Sequence, residues 1–298
     1  MIDELRHFLL IVEHGTFTEA ARRAHLSQPA LTASIQRLEG WFGARLLARG
    51  PGGAEATAAG AALVPRARAA IAAVEDGRRA VAEIEGLHAG EVRIGAGATA
   101  CTYFLPPVLA AFRAEHPAVR FLLREATTDE VLDALHAGEL DLGLISTEGG
   151  EPWHDDELIV VASPDLPRPA AAPFVTFGRG STSRALLERH FPGAEVVMEL
   201  GSIAAVKGNV RAGIGVALVS RAAVDHDLAT GRLVEVPHPA TPISRPLRLV
   251  HRGVDRLPPA AARLRALLLE RRPARPAPAG ARSARPEGRS GRKLRQSR

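Results

Sequence analysis

The chain is poor in the residues that would indicate a secreted, membrane-bound or metal-dependent protein. Its 298 residues include 1 cysteine, which excludes an internal disulfide and suits a reducing compartment. No stretch approaches the roughly 18 apolar residues that a membrane span needs, and the N-terminal residues lack the basic-then-apolar pattern of a secretory signal. The 11 histidines show no metal-ligand spacing. We therefore expect a soluble cytoplasmic protein without membrane association, metal or cofactor.

Net positive charge is absent outside one terminal segment. The formal net charge is +5, but residues 273–298 alone carry +7, so the rest of the chain is near −2. This segment is rich in Pro, Gly, Ser and Arg and nearly free of large apolar residues, a composition that predicts disorder. Any DNA binding by the remaining chain must come from a local basic patch.

Two short helices are predicted near the N-terminus. The first has an apolar face at helical spacing, formed by Leu5, Phe8, Leu9 and Val12. The second is predicted from Phe17 to His25, with Thr16 as the N-cap and Glu19 reaching back to complete a capping box. Its small residues Ala20 and Ala21 allow another helix to approach closely.

A third helix is predicted from Gln28 to about Trp41, with Ser27 as its N-cap and Pro29 in its first turn. Its outward face carries small and amide side chains, namely Gln28, Thr32, Ala33 and Gln36, with Arg37 at the flank. A tight turn before such a helix is typical of a helix-turn-helix, since Gln can pair with adenine and a Thr methyl can pack on thymine. A three-helix bundle with a solvated polar face remains the alternative.

The whole N-terminal region resembles the DNA-binding domain of LysR-type transcriptional regulators. The matches include Phe8, Gly15, Phe17, the run Leu26-Ser27-Gln28-Pro29-Ala30, Leu38-Glu39, Gly43, Leu46, Arg49, Thr57 and Gly60. The resemblance implies a winged helix-turn-helix over residues 1–57 that binds double-stranded promoter DNA. It departs at Thr32, Leu47 and Gly52, where the family usually has Ser, Phe and Arg. Without a basic residue at Gly52, Arg45 and Arg49 are the expected phosphate contacts.

Residues 58–88 are predicted to form one long Ala-rich linker helix. A seam at coiled-coil spacing runs through Ala67, Ala70, Val74, Gly77, Val81 and Ile84. The spacing fits either a dimer helix or a helix packed on its own domain. The resemblance favours the dimer and implies a homodimer or homotetramer.

Residues 89–272 alternate strands and helices, which predicts an α/β domain, and the strands of its first part, up to Ser146, are predicted to form a parallel sheet. The stretches GEVRIG, GELDLGLIS and VRAGIGVALVS resemble the LysR regulatory domain, which has type II periplasmic-binding-protein architecture. The expected lobes are about 89–161 with 249–272, and about 162–248. A second-lobe stretch also resembles the branch that controls carbon fixation and sulfur assimilation genes.

A small-molecule effector is expected between the lobes. The resemblance implies Thr99 and Thr128 on one lobe and Ser202 on the other, and Ser146 lies at the same predicted sheet edge. We add Arg184, because a cation beside helix N-termini suits an anionic effector. Thr99 and Ser202 could instead be helix caps, and Arg184 a surface charge. Cys101 is expected to be a small residue lining the pocket and not a redox switch.

The predicted function is sequence-specific transcription regulation controlled by an effector, with RNA polymerase as a partner if the chain activates. A solute-binding protein without DNA function is the first alternative, but it predicts a secretion signal and no helix-turn-helix. An α/β enzyme is the second, but it needs convergent acid, base or nucleophile groups, and none is apparent in the sequence. The chain is therefore expected not to be an enzyme.

Deleting residues 273–298 should lower affinity for random and operator DNA alike, mostly at low salt. A flexible basic segment neutralises phosphates and releases counterions, but it has no fixed geometry to read base edges. The measurement is a salt titration of both affinities for the full-length and truncated chains. Equal salt slopes for the two chains would show that the segment has no role in DNA binding and is a mere extension.

Overall fold

Three capped helices build the N-terminal domain of a computed structural model, which describes residues 1–50, 53–84 and 90–272. The helices are α1 (Ile2–His14), α2 (Phe17–Arg23) and α3 (Gln28–Phe42). The Ser27 hydroxyl accepts a hydrogen bond from the Ala30 N–H, as its predicted N-cap role requires. The buried faces of the three helices share one apolar core around Phe8, Ile11 and Leu31.

The predicted second helix is too long by two residues. Helix α2 ends at Arg23, and His25 has a left-handed φ of 53° that no continuing helix allows. Thr16 caps it as predicted, through a 3.2 Å hydrogen bond from the Glu19 N–H. The Glu19 carboxylate does not complete the capping box, because it instead binds the guanidinium groups of Arg22 and Arg23.

A β-hairpin and a long helix follow. Strands β1 (Leu47–Gly50) and β2 (Gly53–Ala56) pair antiparallel, and helix α4 runs over Ala58–Ile84. The predicted seam of α4 divides in two. Ala67 and Ala70 pack against the N-terminal core of their own chain, whereas Val74 and Val81 are exposed.

The first part of the regulatory domain alternates strands and helices as predicted. Its elements are β3 (Glu91–Ala96), a π-helical turn (Ala100–Phe104), α5 (Leu105–Glu115), β4 (Arg120–Glu125), α6 (Thr128–His136) and β5 (Leu142–Ile145). Thr127 caps α6 with a complete capping box to Glu130.

The second part contains three elements that the sequence pattern did not reveal, strands β8 and β10 and helix α9. In order it comprises β6 (Glu151–Ala162), β7 (Phe174–Phe177), α7 (Thr182–His190), β8 (Val196–Leu200), α8 (Ile203–Arg211), β9 (Ala217–Ser220), α9 (Arg221–Ala229), β10 (Val234–Glu235), β11 (Ile243–Val250) and α10 (Pro259–Glu270). None of these described helices, nor those of residues 1–84, has the length and apolar character to cross a membrane.

The predicted parallel arrangement is confirmed for the first three strands of the regulatory domain, but the sheet as a whole is mixed. Its order is β10-β6-β11-β5-β3-β4, with β9 also paired to β6. Strands β4, β3 and β5 are parallel, but β11 is antiparallel to both β5 and β6. A short parallel pair, β7 and β8, stands apart. The alternation of strands and helices in the sequence indicates where strands lie. It does not show that the long strands β6 and β11 pair with each other in antiparallel orientation.

Strands β6 and β11 each contribute side chains to the apolar cores of both lobes. Trp153 and Leu247 belong to the core formed with β3, β5, α5 and α10, which we call the first-lobe core. Ile159 packs in the core of α8, α9, β7 and β9, and Ile243 packs near β7 and α7; we call these the second-lobe cores. The two paired strands therefore connect the lobes without a break.

Replacing Gly53 by Ala should destabilise the N-terminal domain by about 1–3 kcal/mol. Gly53 has a φ of +126°, and a Cβ there would lie 2.2 Å from the Gly15 carbonyl oxygen. Gly50 of the same hairpin has open space around it and is the control. Urea unfolding of both alanine variants is the measurement, and equal stability of the two would contradict this account of the hairpin.

Candidate functional site

The N-terminal face of α3 is open to solvent. Gln28, Pro29, Ala33 and Gln36 are exposed, while Leu31, Ser34, Ile35 and Leu38 are buried, so the predicted outward face is the accessible one. Thr32 is half-buried, and its hydroxyl donates a 2.9 Å hydrogen bond to the Gln28 carbonyl oxygen. Because that bond occupies the hydroxyl, the methyl group is the part of Thr32 suited to an external contact.

Two of the predicted DNA-binding cations, Arg37 at the flank of α3 and the expected phosphate contact Arg45, are accessible beside this face. The side chain of Arg37 is 63% exposed and pairs with Glu4, and that of Arg45 is 85% exposed and lies 3.8 Å from Glu39. Exposed pairs of this kind are weak, so both cations can exchange a carboxylate for a phosphate. The side chain of Arg49 lies outside what the structure describes, as does Gly52.

Glu39 positions the start of the hairpin. One of its carboxylate oxygens accepts hydrogen bonds from the Leu46 N–H at 2.7 Å and the Leu47 N–H at 3.2 Å. The carboxylate thus ties the end of α3 to strand β1. From the sequence Glu39 is recognisable only as a motif position, because nothing in the pattern shows which N–H groups a carboxylate will reach.

A cavity of about 340 Å³ lies at the carboxyl ends of the parallel strands. Thr99, Thr128 and Ser146 all line it, as predicted from the sheet edge. The other side is formed by Phe177, Arg179, Ser181, Thr182, Ser183 and Gly201, with Arg245 of β11 between the two sides. The structure therefore brings three of the five predicted effector residues to one cavity between the lobes.

Helix starts converge on this cavity. The π-helical turn begins beside Thr99, α6 begins at Thr128, and α7 begins after its N-cap Ser181. Free N–H groups and the positive end of the helix dipole favour a negatively charged group at such places. Two carboxylates, Glu125 and Glu130, also line the cavity. Glu130 is engaged by the Thr127 N–H at 2.8 Å.

Arg184 and Ser202 do not line this cavity. The Arg184 side chain is 9% exposed, and its guanidinium pairs with Glu188 at 2.7 Å and Glu199 at 2.8 Å. It borders a neighbouring cavity, but two carboxylates already neutralise its charge. The Ser202 hydroxyl accepts from the Ala205 N–H at 3.2 Å, which makes it the N-cap of α8. For Ser202, the helix-cap alternative describes the observed contact.

Two other arginines line the cavity and were missed in the sequence. Arg179 is exposed in the turn before α7 and forms no ion pair with any residue that the structure describes. Arg245 is buried, pairs with Asp156 and donates a 3.1 Å hydrogen bond to the Ser183 hydroxyl. Strand alternation could have indicated Arg245, since it shares the inward face of β11 with Ile243 and Leu247.

Cys101 lies beside the cavity but does not line it, so the expectation of a pocket-lining residue is wrong. It is half-buried, packs against the first-lobe core, and its thiol donates to the Ala96 carbonyl oxygen at 3.3 Å. Burial, together with the nearby Glu125 carboxylate, raises the pKa of the thiol to about 11. The thiolate that reacts with oxidants is therefore scarce at neutral pH.

Two family models match the chain. Residues 2–61 match the model described as bacterial regulatory helix-turn-helix protein, lysR family. Residues 85–273 match the model described as LysR substrate binding domain. Together the two models cover both folded parts of the chain.

Similar proteins include named regulators. The chain is 34% identical to the uncharacterized HTH-type transcriptional regulator YeiE of Escherichia coli, over 83% of this chain and 90% of YeiE. It is 30% identical to the HTH-type transcriptional regulator CfxR of Cupriavidus necator, over 90% of each chain. It is also 30% identical to the RuBisCO operon transcriptional regulator of Allochromatium vinosum, over 89% of this chain and 94% of that one.

Solved structures share the fold. ArgP from Mycobacterium tuberculosis has a TM-score of 0.66 at 22% identity, covering 90% of this chain and 95% of ArgP. LysG from Corynebacterium glutamicum with bound effector Arg has a TM-score of 0.64 at 21% identity, covering 91% and 97%. At these identities the likeness concerns the fold, including the helix-turn-helix and the curved mixed sheet.

Proposed function

Because the chain belongs to the LysR family of DNA-binding transcriptional regulators, we propose that α3 reads promoter DNA while an anionic effector in the inter-lobe cavity controls the outcome. The observation that carries this proposal is the match to both domain models together with an open, uncharged N-terminal face on α3. The helix-turn-helix match argues against a solute-binding protein. We assign no catalytic step to the chain.

The proposed domains follow the predicted boundaries: DNA binding over 1–57, a linker helix over 58–88, and an effector-binding domain over 89–272. Residues 273–298 lie outside the described part of the chain, so the basic segment stays a sequence-based prediction. The exposed Val74 and Val81 on α4 support a homodimer or homotetramer. Cytoplasmic location and contact with RNA polymerase, if the chain activates, are proposed from the need to act at a promoter.

The proposed base contacts come from Gln28, Pro29, Thr32, Ala33 and Gln36, and the proposed phosphate contacts from Arg37, Arg45 and Arg49. Gln28 offers an amide for a bidentate contact to adenine, and Thr32 offers its methyl group to thymine. The cations supply affinity that does not depend on sequence. This division follows from the exposed uncharged face and the exposed arginines that flank it.

The proposed effector contacts are Thr99, Thr128, Ser146 and Arg179. We replace Arg184 by Arg179 because the first is neutralised by two carboxylates while the second has no carboxylate partner among the described residues. Ser202 is omitted because its hydroxyl caps α8. The relative from Allochromatium vinosum, which is named for the RuBisCO operon, supports the carbon-fixation branch proposed from sequence. No relative cited above is named for sulfur assimilation.

The double variant Gln28→Ala, Thr32→Ala should lose most operator affinity and keep non-specific affinity. Each good base contact contributes about 1–3 kcal/mol, so together they predict a loss of at least about tenfold. Gel shifts with the chain's own upstream promoter region and with random DNA are the measurement. Arg45→Gln is the comparison, since it should weaken both affinities with a shallower salt slope. Unchanged operator affinity in the double variant would remove α3 as the reading helix.

Arg179→Gln should weaken binding of an anionic probe to the cavity by about tenfold, since hydrogen bonds to charged groups contribute about 1.5–3 kcal/mol. Inorganic phosphate is the probe, and calorimetric titration is the measurement. Arg189→Gln is the matched control, because Arg189 is also exposed and lies on α7 but outside the cavity. Equal phosphate affinity in wild type and Arg179→Gln, or no phosphate binding at all, would refute the anionic preference.

A further inference from the structure

A buried ionic cluster joins the linker helix to the first lobe. Asp76 of α4 pairs with Arg79 of the same helix at 2.6 Å and with Arg252, which follows strand β11. Asp141, which precedes β5, pairs with Arg79 at 2.8 Å and with Arg93 of β3 at 2.9 Å. We call these five residues the joint. It ties one helix to three strands of the sheet.

The two carboxylates of the joint are withdrawn from water. The side chain of Asp76 is 9% exposed and that of Asp141 is 0% exposed. Burial raises the pKa of Asp141, but hydrogen bonds from Arg79 and Arg93 more than compensate and hold it below its usual value. Removing one member of such a cluster is costly, because a buried charge is left without its partner.

A close apolar contact reinforces the joint. Gly138, in the turn after α6, has a φ of +75° and lies directly against Ala72 of α4. A Cβ on Gly138 would come within 1.9 Å of the Ala72 Cβ, so only glycine allows the helix to sit this closely. The helix is therefore positioned by two independent contacts one turn apart.

The strands that carry the joint also carry the cavity. After Arg93, strand β3 continues to Gly97 and Thr99 at the cavity, and after Asp141, strand β5 continues to Ser146. Strand β11 runs the other way, with Arg245 and Leu247 at the cavity and Arg252 beyond its opposite end. The cavity and the joint thus lie at opposite ends of the same three strands.

We propose that a ligand bound in the cavity changes the position of the linker helix by acting through the joint. The placement of the DNA-binding domain changes with the helix. This inference rests on the proposed function, since it requires an effector in the cavity. A ligand that shifts β3, β5 and β11 relative to one another changes the spacing of the charges at their far ends. Buried ion pairs tolerate such shifts poorly. Two discrete positions of the helix are therefore favoured over a continuous range of positions.

The first test uses adjacent carboxylates of α4. Asp76→Asn removes a buried charge of the joint, while Glu75→Gln makes the same chemical change at a half-exposed side chain that pairs with Arg6 of α1. We expect amide exchange over residues 72–82 to be at least about tenfold faster in Asp76→Asn than in wild type. It should change by less than about twofold in Glu75→Gln. Equal exchange in the two variants would overturn the joint.

A second variant guards against simple unfolding. Arg252→Gln leaves Asp76 paired with Arg79, so the full-length chain should keep its wild-type circular dichroism while exchange over residues 72–82 rises by a smaller factor. A cooperative loss of structure throughout the chain in both joint variants would mean that these residues hold the whole fold, and it would contradict a local joint.

The third test is specific to coupling. Saturating inorganic phosphate should change exchange over residues 72–82 at least about threefold in wild type and in Glu75→Gln, but not in Asp76→Asn. Phosphate that binds without any effect on α4 in wild type would overturn the coupling and leave the cavity proposal intact. Phosphate that does not bind would refute the anionic preference of the proposed function. The exchange difference between Asp76→Asn and Glu75→Gln would then decide whether the joint is retained.

Discussion

The antiparallel pairing of β6 and β11 is the constraint on which the regulatory domain depends. The two strands pair from Glu151 to Leu158 against Leu249 to Ile243, and each supplies side chains to the cores of both lobes. Because the lobes share this ladder, they cannot separate without breaking backbone hydrogen bonds. Relative movement must instead come from bending or twisting of the shared strands, and the cavity lies beside them with Arg245 as a direct contribution from β11.

Charge is arranged differently at the two ends of the sheet. At the cavity, helix starts and the guanidinium of Arg179, which has no ion pair among the described residues, line the same space as the carboxylates of Glu125 and Glu130. At the linker helix, the charges of Arg79 and Arg93 are paired with the buried carboxylates of Asp76 and Asp141. An uncompensated charge binds something from solution, whereas a compensated one fixes structure. Arginine is therefore available for ligand recognition at the cavity end of the sheet, and it positions the linker helix at the other end.

Local sequence rules predicted the elements well and the long-range pairing poorly. The Ser27 cap, the outward face of α3 and the strand ends that bring Thr99, Thr128 and Ser146 together all depend on nearest-neighbour patterns. The direction of β11 could not be predicted, because its partners lie about 90 residues earlier in the chain. Arg184 was misplaced for the same reason: its partner Glu199 lies on β8, a strand that the pattern did not reveal.

The length of α4 has a mechanical consequence. At about 1.5 Å per residue, the 18-residue separation from Ala58 to Asp76 makes a helical arm of roughly 27 Å. A rotation of about 10° at the level of Asp76 would displace the far end by roughly 5 Å, more than the 3.4 Å that separates base pairs. The DNA-binding domain at that end would then contact the double helix at a different base-pair position. Angular amplification along one helix can thus convert a sub-ångström change beneath the sheet into a shift of register on DNA.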